Sequence, residues 1–313
     1  MRIGQHVSVL HVRLVVPPSR VTAVDDLLRD DPTICNLVQL ERASHRPVGH
    51  VVLFDAPRES ANRLIAMLKS LGLHESGSIA ISRLDTVLSA QAERAEALAP
   101  GDPGEAVIWE EVEARLGVES RLTPSFVAVM VVAVLLGAVA VLTDSLVLVV
   151  GAMVVGPEFG PLAAMTLALH RRTWVTARRA LVTLVLGFAA ATSAALVLTL
   201  ILDAAGRIPD AYGDGNLQFT AFISHPDLFT VIVAVLAGAA GMLALTQGKS
   251  GALVGVLISV TTIPAASNVA VASALGRWGE AGGAAAQLGV NLGCMVLVGL
   301  LTLSVEHRMG ADV

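Results

Sequence analysis

Glu158 is the only charged side chain between Ser145 and Leu169, and it stands between two glycine-proline pairs, Gly156-Pro157 and Gly160-Pro161. A stretch this long and apolar can cross a bilayer as a helix, and the Gly-Pro pairs break that helix near its centre. Lipid offers no partners to the N–H and C=O groups that a break sets free, so a break is tolerated only inside protein or beside a water-filled cavity. A carboxylate at that depth is a candidate proton or cation site. Few other residues can share its chemistry. Thr261, Thr262, Ser267 and Asn268 flank Pro264, a second break in an apolar segment, while Gln287 and Asn291 lie one helical turn apart in the last segment. Such hydroxyls and amides, with carbonyls freed before each proline, coordinate a cation or hold a small polar solute. The same groups also join helices by interhelical hydrogen bonds. The expected binding residues are Glu158, Asn268, Ser267, Asn291 and Thr262, positioned by breaks at Gly156, Pro157, Gly160, Pro161 and Pro264. Thr261, Thr262 and Gln287 read first as packing groups, with Thr262 kept among the candidate ligands.

The elements that must position these residues are long apolar helices. Of 313 residues 54% are hydrophobic, and mean hydropathy is +0.72. Charge is concentrated at the front: residues 1–121 hold 30 of the 47 charged side chains. This predicts a soluble domain over 1–90, an amphipathic connector over 91–121, a transmembrane domain over 122–306 and a short tail over 307–313. Charge-free stretches predict six segments: Pro124–Thr143, Ser145–Leu169, Trp174–Leu202, Leu228–Thr246, Gly251–Leu275 and Gly282–Ser304. Arg171, Arg172, Arg178 and Arg179 surround the link between the second and third, which the positive-inside rule places in the cytoplasm. The N-terminus then lies on the same side, which agrees with a leading stretch that does not read as a secretion signal. Asp144 reads as a cap or entry charge at the outer end. The net charge of −5 and the absence of a dense basic run outside the membrane part argue against a nucleic-acid partner.

Strand-helix-strand-strand-helix-strand order is predicted from Val7 to Ser89, with strands at Val7–Val16, Ile34–Leu40, Val48–Phe54 and Ser78–Leu84. Helices follow over Ser19–Arg29, with Ser19 as cap, and Arg58–Leu71. This is the ferredoxin-like order, a fold that hosts sensing, oligomerisation or a passive cap alike. His45 and His50 flank a hairpin loop but lack Cys-x-x-Cys or His-x-x-x-His company, so no metal or cofactor is expected. Cys35 and Cys294 lie in different domains and predict no disulfide. In the connector, Asp102-Pro103 reads as a helix start, after which Ile108, Trp109, Val112 and Leu116 share one face. That helix is expected at the lipid interface or on the soluble domain, and its acidic face disfavours anionic lipid.

Two three-crossing halves look alike, Gly151-Ala-Met-Val-Val-Gly-Pro157 being echoed by Gly255 to Pro264. An odd number of crossings inverts the second copy, which predicts inverted repeats with two broken helices meeting at the bilayer midplane. Gly251-x-x-x-Gly255 and Gly289-x-x-x-Gly293 are faces that permit close helix packing within or between protomers. Asp144-Ser, Gly151-Ala-Met, Gly156-Pro, Gly160-Pro161 and Ile263-Pro-Ala-Ala-Ser-Asn268 closely resemble the membrane family called domain of unknown function 389, an uncharacterised hydrophobic domain. The resemblance runs from about Thr123 to Leu303 and implies a multi-spanning protein of the bacterial inner membrane with a cytoplasmic N-terminal domain; it brings no activity with it. No nucleophile elbow, metal motif or phosphate loop is present, so an enzyme is not expected. Two function classes fit. One is a secondary transporter or channel for a small ion or polar solute, built in a lipid bilayer as a homo-oligomer. The other is a non-transporting oligomeric sensor or scaffold regulated through the ferredoxin-like domain.

Overall fold

The structure is a computed structural model that describes residues 9–84, 87–99, 107–209, 212, 221–224, 226–247 and 261–311. The chain divides between Trp109 and Glu110 into two compact units.

In the first unit, β1 (Val9–Val16), β2 (Cys35–His45), β3 (Val48–Pro57) and β4 (Ser78–Arg83) form one antiparallel sheet in the order β2-β3-β1-β4. Valine-rich β1 lies in the middle, paired with β3 through Val12↔Phe54 and with β4 through Val12↔Ile81. Its alternation sends Leu10, Val12, Leu14 and Val16 to one face. There they meet α1 (Val21–Arg29) through Val24 and Leu28, and α2 (Arg58–Ser70) through Leu64, Ile65 and Leu68. Each such buried side chain contributes about 1.5–3 kcal/mol relative to exposure. α2 stops because Gly72, at φ 69°, takes the left-handed conformation that other residues resist. A four-residue helix, α3 (Leu73–Ser76), leads into β4.

Two sequence expectations need correction here. Ser19 does not cap α1; Pro18–Arg20 forms a single 3-10 turn and Arg20 occupies the cap position without a side-chain bond. The stretch after Ser89 is also not all connector. Ser89 accepts from the Ala92 backbone N–H at 3.3 Å and starts α4 (Ala90–Leu98), whose Ala92 and Ala95 pack with Val9 and Cys35 on the sheet's second face. Ile108 joins the first face's core, and the Asn62 amide donates to the Val107 carbonyl at 2.7 Å. The proposed cap at Asp102-Pro103 lies outside the described residues.

The second unit is helical. It contains α5 (Trp109–Glu119, shared with the boundary), α6 (Pro124–Leu142), α7 (Leu146–Val155), α8 (Phe159–His170), α9 (Trp174–Ala204), α10 (Leu228–Thr246), α11 (Thr262–Ala274) and α12 (Trp278–Ala311). Thr123 caps α6, with Pro124 at its first position, and Asp227 and Thr230 form a reciprocal capping box on α10. Among the described residues four helices, α6, α9, α10 and α12, are long and apolar enough to cross a membrane, and the bent pair α7 plus α8 makes a fifth if it is one span. Of the segment expected over Gly251–Leu275, only the part from Thr261 is described. α11 is almost wholly buried, packed against α6, α9 and α12. The outer faces of α6, α7, α9 and α10 instead carry rows of exposed Val, Leu and Ile. Apolar surface this extensive suits lipid rather than water.

Candidate functional site

Helix α7 ends at Gly156, whose N–H makes the last regular bond to Ala152 at 3.2 Å, and α8 begins two residues after Pro157 with a bend of 52° between them. Proline supplies no N–H and its ring collides with the carbonyl four residues back, so the helix cannot continue. The interruption is shorter than the sequence reading had it. Only 156–158 lie between the helices, while Gly160 and Pro161 occupy the first turn of α8, where an N–H has no helical partner to lose. Pro264 likewise lies in the first turn of α11, and what precedes Thr261 lies outside the described residues.

Glu158 stands at the start of α8 and is only 4% exposed, so it faces protein and not lipid. The Thr262 hydroxyl, at the start of α11, donates to its Oε1 at 2.5 Å, joining two helices that begin at one place in the fold. Its Oε2 is buried and has no partner among the described residues. A Cβ on Gly156 would overlap this carboxylate and Ile263, so glycine there makes room for both.

The other candidate ligands radiate from α11 in different directions. Ser267 shares its proton between the Val134 and Ile263 carbonyls at 2.9 and 2.8 Å, fastening α11 to α6, and Gly137 leaves the space for it. Asn268, 2% exposed, donates to the Ser224 hydroxyl at 2.6 Å, while its Oδ1 is buried without a partner among the described residues. Thr261 accepts from Gln287 at 3.0 Å and from Asn291 at 3.1 Å. Thus Thr262 meets Glu158 directly, whereas Ser267 and Asn291 are engaged with α6 and with Thr261.

Several neighbours had no signal in the sequence. Ser224, on a short 3-10 turn, orients Asn268. A Cβ on Gly160 would overlap the Glu119 carboxylate, so the end of α5 reaches the first turn of α8. Thr183 of α9 donates to the Ser120 carbonyl at 3.0 Å, and Arg171 pairs with Glu113 at 3.1 Å. The acidic side of α5 therefore engages the helical unit, a role that neither expected placement of that helix included. On the loop after α9, Tyr212 is fully buried. Arg277 stacks 4.5 Å from its ring, and Glu280 joins at 3.2 Å from Arg277. Burial, and then the Glu280 charge, hold the phenol well above its ordinary range, with Arg277 opposing. Asp144, at φ 48°, occupies the turn between α6 and α7, but the cap is Ser145, which accepts from the Leu148 N–H at 3.5 Å. Asp227 is held below the usual carboxylate range by its bonds from Thr230.

These features define a class: a mainly helical protein with apolar helices suited to a membrane, a buried carboxylate at a helix break, and a separate small sheet unit. Residues 153–297 match the model of the family Domain of unknown function (DUF389). The matched stretch contains Glu158, Thr262, Asn268 and Asn291, but the family carries no assigned activity. No curated protein and no solved structure matches the chain.

Proposed function

We propose that the helical unit is a membrane transport domain that passes a small cation, a proton included, by way of Glu158. One observation carries this reading: a carboxylate buried at a helix break, with one oxygen bonded to Thr262 and the other bare among the described residues. An ionised carboxylate in such surroundings needs a counter-cation, and a neutral one needs a proton. Either state takes up a positive charge. The freed backbone around 156–158 and the Thr261 and Thr262 hydroxyls supply the oxygens that such a cation prefers. The reading includes six crossings arranged as two inverted repeats, a homo-oligomer in the membrane, and an N-terminus in the cytoplasm on the side of Arg171 and Arg172.

Purified protein in proteoliposomes tests this, with proton and alkali-cation flux followed under an imposed gradient. Glu158→Gln keeps the side chain's shape and its acceptor for Thr262, so assembly is expected to persist while flux falls to the protein-free level. Flux equal to wild type in Glu158→Gln would sink the carboxylate mechanism. A second reading, a sensor or scaffold without transport, draws on the first unit, which has its own core and leaves Leu37, Val38 and Leu40 exposed on edge strand β2. It is favoured if neither wild type nor variant conducts any tested ion.

A further inference from the structure

The first two turns of α9 carry a surface that the proposed cation site does not use. Trp174 and Val175 are 68% and 76% exposed, and with Arg178, Arg179 and Val182 they line an open groove of about 490 Å³. Trp174 and Arg178 are four residues apart, as are Val175 and Arg179, so each aromatic or aliphatic side chain shares a helix face with a guanidinium. Val182 lies one turn beyond both arginines. From there Leu181, Val185 and Leu186 continue outward as an exposed apolar strip.

The cations here are unsatisfied. Arg171 is tied to Glu113, whereas neither Arg178 nor Arg179 has a protein partner among the described residues. No aspartate or glutamate occurs between Phe159 and Leu202. A guanidinium presents a planar fork that fits phosphate oxygens in pairs. Tryptophan favours the level of lipid headgroups, and the strip beyond offers a path for acyl chains. Two unpaired positive charges, an interfacial ring and an apolar continuation match the parts of one amphiphile in order.

We propose that Trp174, Arg178, Arg179 and Val182 form a binding site for a phospholipid with a net anionic headgroup, in the leaflet that faces the Arg171–Thr173 turn. The site binds phosphate oxygens through the two guanidinium groups and lays the acyl chains along Leu181, Val185 and Leu186. It rests on the membrane reading of the helices and not on transport. Loss of this site would leave the Glu158 mechanism standing, and a non-conducting protein would leave the lipid site standing.

The test uses full-length protein purified in mild detergent, with lipid retention counted by native mass spectrometry after addition of phosphatidylglycerol or phosphatidylcholine. Wild type is expected to prefer phosphatidylglycerol by roughly 25-fold, about five-fold for each guanidinium. The R178Q/R179Q variant should lose that preference, and Arg172→Gln, an exposed neighbour outside the groove, should keep it. Should the double variant fail to purify in folded form, each single substitution carries the same reading with about half the effect on a logarithmic scale. Equal retention of the two lipids by wild type, or an unchanged preference in R178Q/R179Q, overturns the proposal. So does an equal loss in Arg172→Gln, which would mark bulk charge alone. Water-soluble glycerophosphoglycerol separates headgroup from lipid. Failure to displace the bound lipid at millimolar concentration supports the site, and displacement would show that the apolar strip is not used.

Discussion

At the scale of single residues, the same burial that isolates Glu158 also silences chemistry elsewhere. Cys35 lies in the first unit beside His11, Asn36 and Asp55, a grouping that would suggest a nucleophile with its base. His11 and Asn36 are both spent on the Asp55 carboxylate at 2.7 Å, and the Cys35 thiol turns to the Asp55 carbonyl. Burial, and then the Asp55 charge, push the thiol from the usual 9.0 up to about 11. The folded state thus holds the proton more tightly than the unfolded state does. Its contribution to stability is whole below about pH 9 and is lost as pH rises from there toward 11. In a Cys294→Ala background, alkylation of Cys35 should be slow at pH 8 and should rise toward pH 11; a half-maximal rate below pH 9 would contradict the buried environment. Glu158 stands out in the sequence because proline and glycine beside a polar side chain mark an apolar run, whereas Thr262, which the structure bonds to it, reads first as a packing group. Ser224 and Glu119 were not legible. Neither has anything local to mark it, and only tertiary packing brings it to Asn268 or Gly160.

Among elements, glycine separates faces that touch from faces that do not. Gly283 on α12 lies where a Cβ would run into the Ser224 carbonyl, so this helix approaches the 3-10 turn that orients Asn268 at backbone distance. Gly289, about two turns further along the same helix, would place a Cβ within 4 Å of nothing among the described residues. Alanine at Gly283 is therefore expected to destabilise by about 1–3 kcal/mol through overpacking. Alanine at Gly289 should be neutral or stabilising by about 0.5–1 kcal/mol through lost chain freedom. Thermal unfolding in one detergent distinguishes them, and equal effects would remove the assigned packing of α12. Among the described residues nothing packs on the small-x-x-x-small face at Gly289 and Gly293. Helices α6, α9 and α10 were readable almost to the residue, in α10 because capping and apolar length agree, whereas α12 runs past the expected Gly282–Ser304 at both ends. α4 was missed: its alternation of Ala with Gln, Glu and Arg has only a weak apolar face, and its two buried alanines matter only once Val9 and Cys35 lie beneath them. The core of the sheet unit accordingly does not close at residue 90 but needs Ile108.

For the molecule as a whole, the proposed orientation of the helical unit rests on the placement of charge. Arg171 and Arg172 follow α8, Arg178 and Arg179 open α9, and the exposed apolar strip of α9 begins at Leu181. A membrane boundary between Arg179 and Leu181 keeps all four guanidinium groups in water or among headgroups, and positive residues of this kind are retained on the cytoplasmic side. In the proposed orientation a 31-residue α9 would deliver Arg207 to the opposite face, since about 20 residues suffice for the hydrocarbon core. Cysteine at the exposed Thr173 should resist an impermeant thiol reagent in intact cells and react after permeabilisation, whereas cysteine at the exposed Arg207 should react at once. Tyr212 would make a poor reporter although it follows α9 as Arg207 does. Its ring is buried under Arg277, so silence there would report packing and not sidedness. Labelling of Thr173→Cys from outside together with protection of Arg207→Cys would reverse the orientation. It would also move the paired guanidinium groups of α9 to the other leaflet.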